Sequence, residues 1–150
     1  MRLRLEYRLA DEDRQYPLLY IYEVIDKDEI GLRFACDYYV KDGAVYEAVH
    51  RGVEPGRAIV YVRRADDEQA SVYPMPVRRS DRTIVVEFRE YRESSTLYPL
   101  IETFEFGDDD DCLLYLQSDS LYVNGRHWRK TSTEIDEDRG AYVIYAEPQA

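Results

Sequence analysis

The segment LYVNGRHWRKT, residues 121–131, concentrates reactive side chains: the only Trp of the chain, one of its two His, and the cations Arg126, Arg129 and Lys130. An imidazole beside an indole and guanidinium groups could move a proton, stack on a ligand or hold an anion. The same segment carries Asn124-Gly125, a dipeptide that tolerates the two positive φ angles of a tight β-hairpin turn. Trp128 then lies on the strand leaving the turn, where large aromatics pair across strands and fill sheet interfaces. His127 reads as a solvent-facing or hydrogen-bonded side chain. The segment is a hairpin first and a binding surface second.

Carboxylates gather in two places. GDDDDC, residues 107–112, offers hard oxygen ligands, but four consecutive Asp lack the alternating ligands and mid-loop Gly of an EF-type calcium loop. It reads as a solvated strand-to-strand turn, and EIDEDRG, residues 134–140, also reads as a loop. Cys36 and Cys112 each sit in an apolar-alternating run and read as buried reduced thiols, neither a disulfide framework nor a zinc site. No metal site or cofactor is therefore expected. The chain has no G-x-S-x-G, H-E-x-x-H, Walker-type loop or dinucleotide fingerprint, so the usual nucleophile, base and orienter sets lack parts. Two Asp or Glu facing each other across a cleft remain the one catalytic arrangement open to this composition, as in a hydrolase or isomerase.

The 150 residues suit one domain, and 45% hydrophobic content is enough to fill a core despite 34% charged residues. A net charge of -11 repels phosphate backbones and anionic lipid, which argues against nucleic acid and membrane partners. Arg2, Arg4 and Arg8 on the first strand, and Arg63, Arg64, Arg78, Arg79 and Arg82 around a loop, read as solvated sheet edges that resist edge-to-edge pairing. MRLRLEYRLADED has no apolar core of a signal peptide, and no stretch approaches the ~18 apolar residues of a membrane span. A cytoplasmic protein is expected. The pattern resembles that of many small bacterial β-proteins without matching one family, and the excess of Arg over Lys hints at a GC-rich or thermophilic source.

The elements that position these residues have period two. In RLRLEYRL, Leu3, Leu5, Tyr7 and Leu9 face one way and Arg2, Arg4, Glu6 and Arg8 the other. PLLYIYEVI reads as a central strand, and IGLRFACDYYV, RAIVYVRR, RTIVVEFREY, LIETFEF, CLLYLQS, SLYV, RHWRKTST and AYVIYAE as further strands. Asp42-Gly43 and Asn124-Gly125 mark hairpin turns. Residues 44–52, AVYEAVHRG, read as strand or as helix, since Val45, Ala48 and Val49 have helical spacing and Gly52 could end a helix.

Sliding the chain by about 82 residues lays YPLLYIYEVIDKDEIGLRFACDYYVKDGAVY, from Tyr16, on YPLIETFEFGDDDDCLLYLQSDSLYVNGRHW, from Tyr98, without a gap. Tyr16, Pro17, Leu18, Glu23, Asp26, Asp28, Leu32, Asp37 and Gly43 meet identical residues; Tyr46 meets Trp128, Val45 meets His127, and Glu54 and Arg57 meet Asp136 and Arg139. LEYR at Leu5 to Arg8 meets VEFR at Val86 to Arg89 with a one-residue slip.

The expected fold is therefore all-β: about ten strands from a tandem duplication of a five-stranded unit, arranged as a pseudo-two-fold sandwich or barrel. Residues 1–150 form a single compact domain, with repeat 1 at 1–64, a surface linker at 65–80 and repeat 2 at 81–150. Halves this small should share one core. A cleft where the halves meet would bring together Tyr16 with Tyr98, Tyr39 with Leu121, and Tyr46 with Trp128, so Tyr16, Tyr39, Tyr46, Tyr98, His127 and Trp128 are the candidate binding residues. Fifteen Tyr supply contact area with a polar tip at small entropic cost. The functional expectation is a binding or protein-interaction module without catalytic activity, engaging a protein or a second copy of itself; the alternative is a hydrolase or isomerase with paired carboxylates.

Overall fold

A computed structural model describes residues 2–66, 68, 70 and 73–149. The described elements run β1 (Arg2–Leu9), β2 (Leu18–Asp26), α1 (Lys27–Phe34), β3 (Tyr38–Lys41), β4 (Ala44–Glu54), β5 (Arg57–Arg64), β6 (Ile84–Glu90), β7 (Leu100–Phe106), α2 (Asp109–Gln117), β8 (Ser120–Val123), β9 (Arg126–Asp136) and β10 (Ala141–Pro148). The protein is mostly β, and its strands join one mixed sheet of order β2-β1-β5-β4-β3-β9-β10-β6-β7, with β8 beside β9. The all-β class holds. α1 and α2 pack on each other and against β1, β2, β6 and β7.

The two halves use the same pairings. In the first, β1 pairs β2 antiparallel and β5 parallel, and β4 pairs both β5 and β3 antiparallel. In the second, β6 pairs β7 antiparallel and β10 parallel, and β9 pairs both β10 and β8 antiparallel. A short parallel ladder of β3 on β9, with Tyr38 opposite Glu134, joins them. Both β-hairpins turn on the expected dipeptides, Asp42-Gly43 at φ 52° and 76° and Asn124-Gly125 at φ 51° and 81°. Residues 44–52 are strand, part of β4.

Two segments expected as strands are helical. Most of IGLRFAC lies in α1, and only its continuation DYYV reaches β3; CLLYLQ lies in α2. The acidic runs explain the change. Asp108 caps α2 by accepting from the Asp110 amide at 2.9 Å, and Asp28, Glu29 and Asp109 to Asp111 place negative charge on the first turns, where the helix dipole favours it. GDDDDC is thus a helix start rather than a turn between strands. Cys112 and Leu116, four apart, make the buried stripe of α2. PLLYIYEVI is also displaced from its expected place: β2 is an edge strand, and Val24 is exposed.

One core spans both halves. Leu5, Tyr7, Val60 and Val62 from the first half join Val86, Phe88, Ile144 and Ala146 from the second, beneath Leu32, Cys36, Cys112 and Leu116. The alternation that sends Val86 and Phe88 to this core sends Glu87 and Arg89 to the opposite face of the sheet. The connection Ala65 to Ser80 reaches that opposite face, with Arg139 Nε donating to the Pro74 carbonyl at 3.2 Å and the Tyr73 ring 3.6 Å from Arg89 Cζ. Asp67, Gln69, Ser71 and Val72 of the expected linker lie outside the described residues. Among the described residues no helix is long and apolar enough to cross a membrane.

Candidate functional site

The face opposite the helices carries buried charge. On β6, Glu87 accepts from Arg89 Nε at 3.1 Å and from Arg139, whose guanidinium also bonds Asp136 at 3.3 Å. Arg89 extends a second bond, 2.8 Å long, to the Tyr98 carbonyl. Each carboxylate is matched by a guanidinium with bonds in more than one direction, the condition under which ionised groups can be buried. EIDEDRG, expected as a loop, accordingly divides: Glu134 to Asp136 end β9 as buried residues, and only residues 137–140 turn.

Beside this network lies a cavity of about 390 Å³. It sits where Tyr38 and Val45 of β3 and β4 meet β9, β10 and the β6–β7 loop, so both halves contribute. Tyr91, Tyr98 and Tyr145 form its aromatic side, with Tyr98 tilted on Tyr91 at 5.3 Å and edge-on to Tyr145 at 5.3 Å. Glu68, Glu134 and Glu147 bring carboxylates to the same space, and Thr131 and Ser132 line it. Glu134 accepts from the Tyr145 hydroxyl at 3.2 Å. Burial, reinforced by the nearby Asp136 charge, pushes the Glu134 carboxyl up to about 7. Burial and then the Glu134 charge raise Tyr145, which therefore stays a neutral phenol. Three rings and three carboxylates round one concavity suit a cation, since ring faces and carboxylate oxygens both attract positive charge.

The residues singled out in the sequence separate here. Tyr98 lines the cavity. Tyr39 stacks on Tyr7 at 3.8 Å within the core and donates to Tyr22, which in turn donates to Glu137 at 2.9 Å. Tyr46 is buried beside it, 6.1 Å from the Tyr39 ring. Trp128 is buried edge-on to Phe88 and donates from Nε1 to the Val123 carbonyl at 3.0 Å. His127 is exposed, edge-on to Tyr122 at 4.8 Å. Tyr16 is exposed at φ 54° with its ring 5.2 Å from Tyr61. The structure does not join Tyr16 to Tyr98, nor Tyr46 to Trp128; the halves meet through β3 and β9 instead.

Sequence reasoning missed Glu134, Tyr145 and Tyr91. The available signal was the alternation Ser132, Glu134, Asp136, which puts two acids on one face of a strand and so demands a compensating Arg, supplied by Arg139 three positions beyond Asp136 in the turn. The arginines of β1 were likewise underread: Arg4 and Arg8 hold the buried carboxylate of Glu6, at 2.9 and 2.7 Å. Among the described residues no group of three or more His, Cys, Asp or Glu is placed to hold a metal ion.

Comparison with known proteins finds no matching family model, and no significantly similar curated protein or solved structure.

Proposed function

We propose that the protein is a non-catalytic binding module, working in the cytoplasm, whose seam cavity receives a cationic side chain, Lys or Arg, of a protein partner. The carrying observation is the convergence of Tyr91, Tyr98 and Tyr145 with Glu134 and Glu147 on one cavity to which both halves contribute. A charge of -11 draws a basic partner from a distance, and the rings and carboxylates hold its cation at close range. Two buried free thiols, Cys36 and Cys112, accord with a reducing compartment. The matching strand pairings of residues 2–64 and 84–148 support reading the chain as a tandem duplication whose halves diverged at this face.

The test is titration of the purified protein with N-acetyl-lysine amide, N-acetyl-arginine amide and tetramethylammonium, beside the neutral isostere neopentane-type alcohol 3,3-dimethylbutanol. Saturable shifts of Tyr98 and Tyr145 resonances with the cations, and weak ones with the alcohol, are expected. Equal response to the neutral compound, or none to any cation, defeats the proposal.

One observation favours a second reading. Glu134, with its carboxyl raised to about 7 and Glu147 on the same cavity, has the protonation range of a general acid-base group. A hydrolase or isomerase would turn over substrate and lose that turnover in Glu134→Gln, whereas a binding module shows no turnover in either form.

A further inference from the structure

Glu6 and Glu87 organise the same constellation on the two halves of the sheet. Arg8 Nε bonds Glu6 at 2.7 Å and its terminal nitrogen bonds the Tyr16 carbonyl at 2.8 Å; Arg89 does the same with Glu87 at 3.1 Å and Tyr98 at 2.8 Å. Arg57 joins Glu6 at 2.9 Å to Glu54 at 3.2 Å, as Arg139 joins Glu87 to Asp136. Even the adjoining rings agree: Tyr16 on Tyr61 at 5.2 Å and 68°, Tyr98 on Tyr145 at 5.3 Å and 71°.

The halves differ in what lies above the guanidinium groups. On the second, the Tyr73 ring lies 3.6 Å from Arg89 and 5.3 Å from Arg139, the Pro74 carbonyl accepts from Arg139, and the arginine side chains are 6% and 7% exposed. On the first, the Arg8 and Arg57 side chains stand 25% and 29% exposed. A third guanidinium, Arg4, bonds Glu6 there at 2.9 Å, where β6 has Val85.

We infer that Arg8, Arg57, Tyr16 and Tyr61 form a docking seat for an extended segment of a partner protein bearing an aromatic residue followed by proline, the chemistry Tyr73-Pro74 brings to the second half. The edges of Arg8 are already fixed by a carboxylate and a carbonyl, so its flat face is what it offers, and a ring stacked there gains from both dispersion and charge. Arg57, like Arg139, then has a donor to give the carbonyl of the proline. The seat does not select a hydroxyl: the Tyr98 amide donates to the Tyr73 hydroxyl at 3.1 Å, but the Tyr16 amide is committed to the Asp11 carbonyl at 2.9 Å. Phe and Tyr therefore both fit. With three arginines round Glu6 and Glu54, acidic residues upstream of the ring are favoured, as Asp66 and Glu68 precede Tyr73 in this chain.

A capped peptide of residues 70–78, ASVYPMPVR, titrated into the isotope-labelled full chain provides the test. Saturable shifts centred on Arg8, Tyr16, Arg57 and Tyr61 are expected. Replacing the peptide's Tyr by Ala should weaken binding about tenfold, and Arg8→Lys in the protein by a similar factor, while Arg89→Lys leaves it within about twofold. Tyr16→Asn, at an exposed position where Asn accepts the left-handed backbone, should weaken it without disturbing the core. No saturable shift at millimolar peptide overturns the proposal, as do shifts centred on Arg89 and Arg139. Self-association of the protein that disappears in Tyr73→Ala would also overturn it, by giving the seat to a second copy.

Discussion

Arg8 and Arg89 stand in the same relation to their own halves: each bonds the glutamate two residues before it and the carbonyl of the tyrosine that opens the next strand's approach, Tyr16 or Tyr98, at 2.8 Å in both cases. A side chain facing away from the core thereby ties a strand to the loop that follows it. The two glutamates are buried alike, but their partners are not, so their removal should differ in cost.

Glu87→Gln leaves Arg89 and Arg139 buried without their shared counter-charge and should destabilise by about 3–5 kcal/mol. Glu6→Gln faces arginines that water reaches, and about 1–2 kcal/mol is expected. Burial alone would raise the Glu6 carboxyl, but Arg8, Arg57 and Arg4 hold it below its usual 4.5. Its ionised form thus stabilises the fold at neutral pH, and that contribution is lost as pH falls below the ordinary glutamate range. Urea unfolding at pH 7 and pH 3 checks both points; equal losses for the two variants at pH 7 would refute the ordering.

Tyr73 tests whether the connection is part of the fold. Tyr73→Ala removes a ring lying on Arg89 and facing Arg139, and a loss of about 1–2 kcal/mol is expected. Tyr73→Phe keeps the ring and deprives the Tyr98 amide of its acceptor, which should cost about 1 kcal/mol and speed hydrogen exchange at Tyr98. If Ala and Phe melt together, the ring contributes nothing.

Period-two alternation made most strands legible because each has one face on the core, as Leu5 and Tyr7 do. Asp-Gly and Asn-Gly placed both hairpins because the backbone there needs positive φ. The helices were hidden because their buried stripes are short: Cys112 and Leu116 are too few to outweigh a local run of apolar residues. The site was hidden for a different reason. Alternation says that Glu87 leaves the core, but not that Tyr73, Tyr98 and Arg139, well separated from it in sequence, return to cover that face.

Cys36 and Cys112 report on the integrity of that core. Burial raises both thiols, Cys36 further and Cys112 to about 12, so neither offers thiolate in the folded state near neutral pH. A chromogenic disulfide reagent at pH 8 should label neither thiol in the native protein over the time in which it labels both in urea. Rapid labelling of one of them under native conditions would show that α1 or α2 opens locally.

Glu134 links the cavity to pH. Its carboxyl, pushed from 4.5 up to about 7 by burial and Asp136, stays protonated in the folded chain over a range in which the unfolded chain has ionised. Stability should therefore fall as pH rises from about 4.5 to about 7 and level off above it, by an amount on the order of 3 kcal/mol. Glu134→Gln keeps an oxygen to accept from Tyr145 but has no proton to lose, so it should match the wild type at pH 4 and exceed it at pH 8. Cation binding has the opposite dependence. A bound ammonium group favours the carboxylate, so affinity for N-acetyl-lysine amide should strengthen through pH 7 in the wild type and stay flat and weaker in Glu134→Gln. Denaturation and binding measured on both proteins from pH 4 to pH 8 decide the matter: a wild-type affinity that ignores pH would separate Glu134 from the bound cation, and a stability curve unchanged by the substitution would show that the carboxyl ionises as freely in the fold as in water.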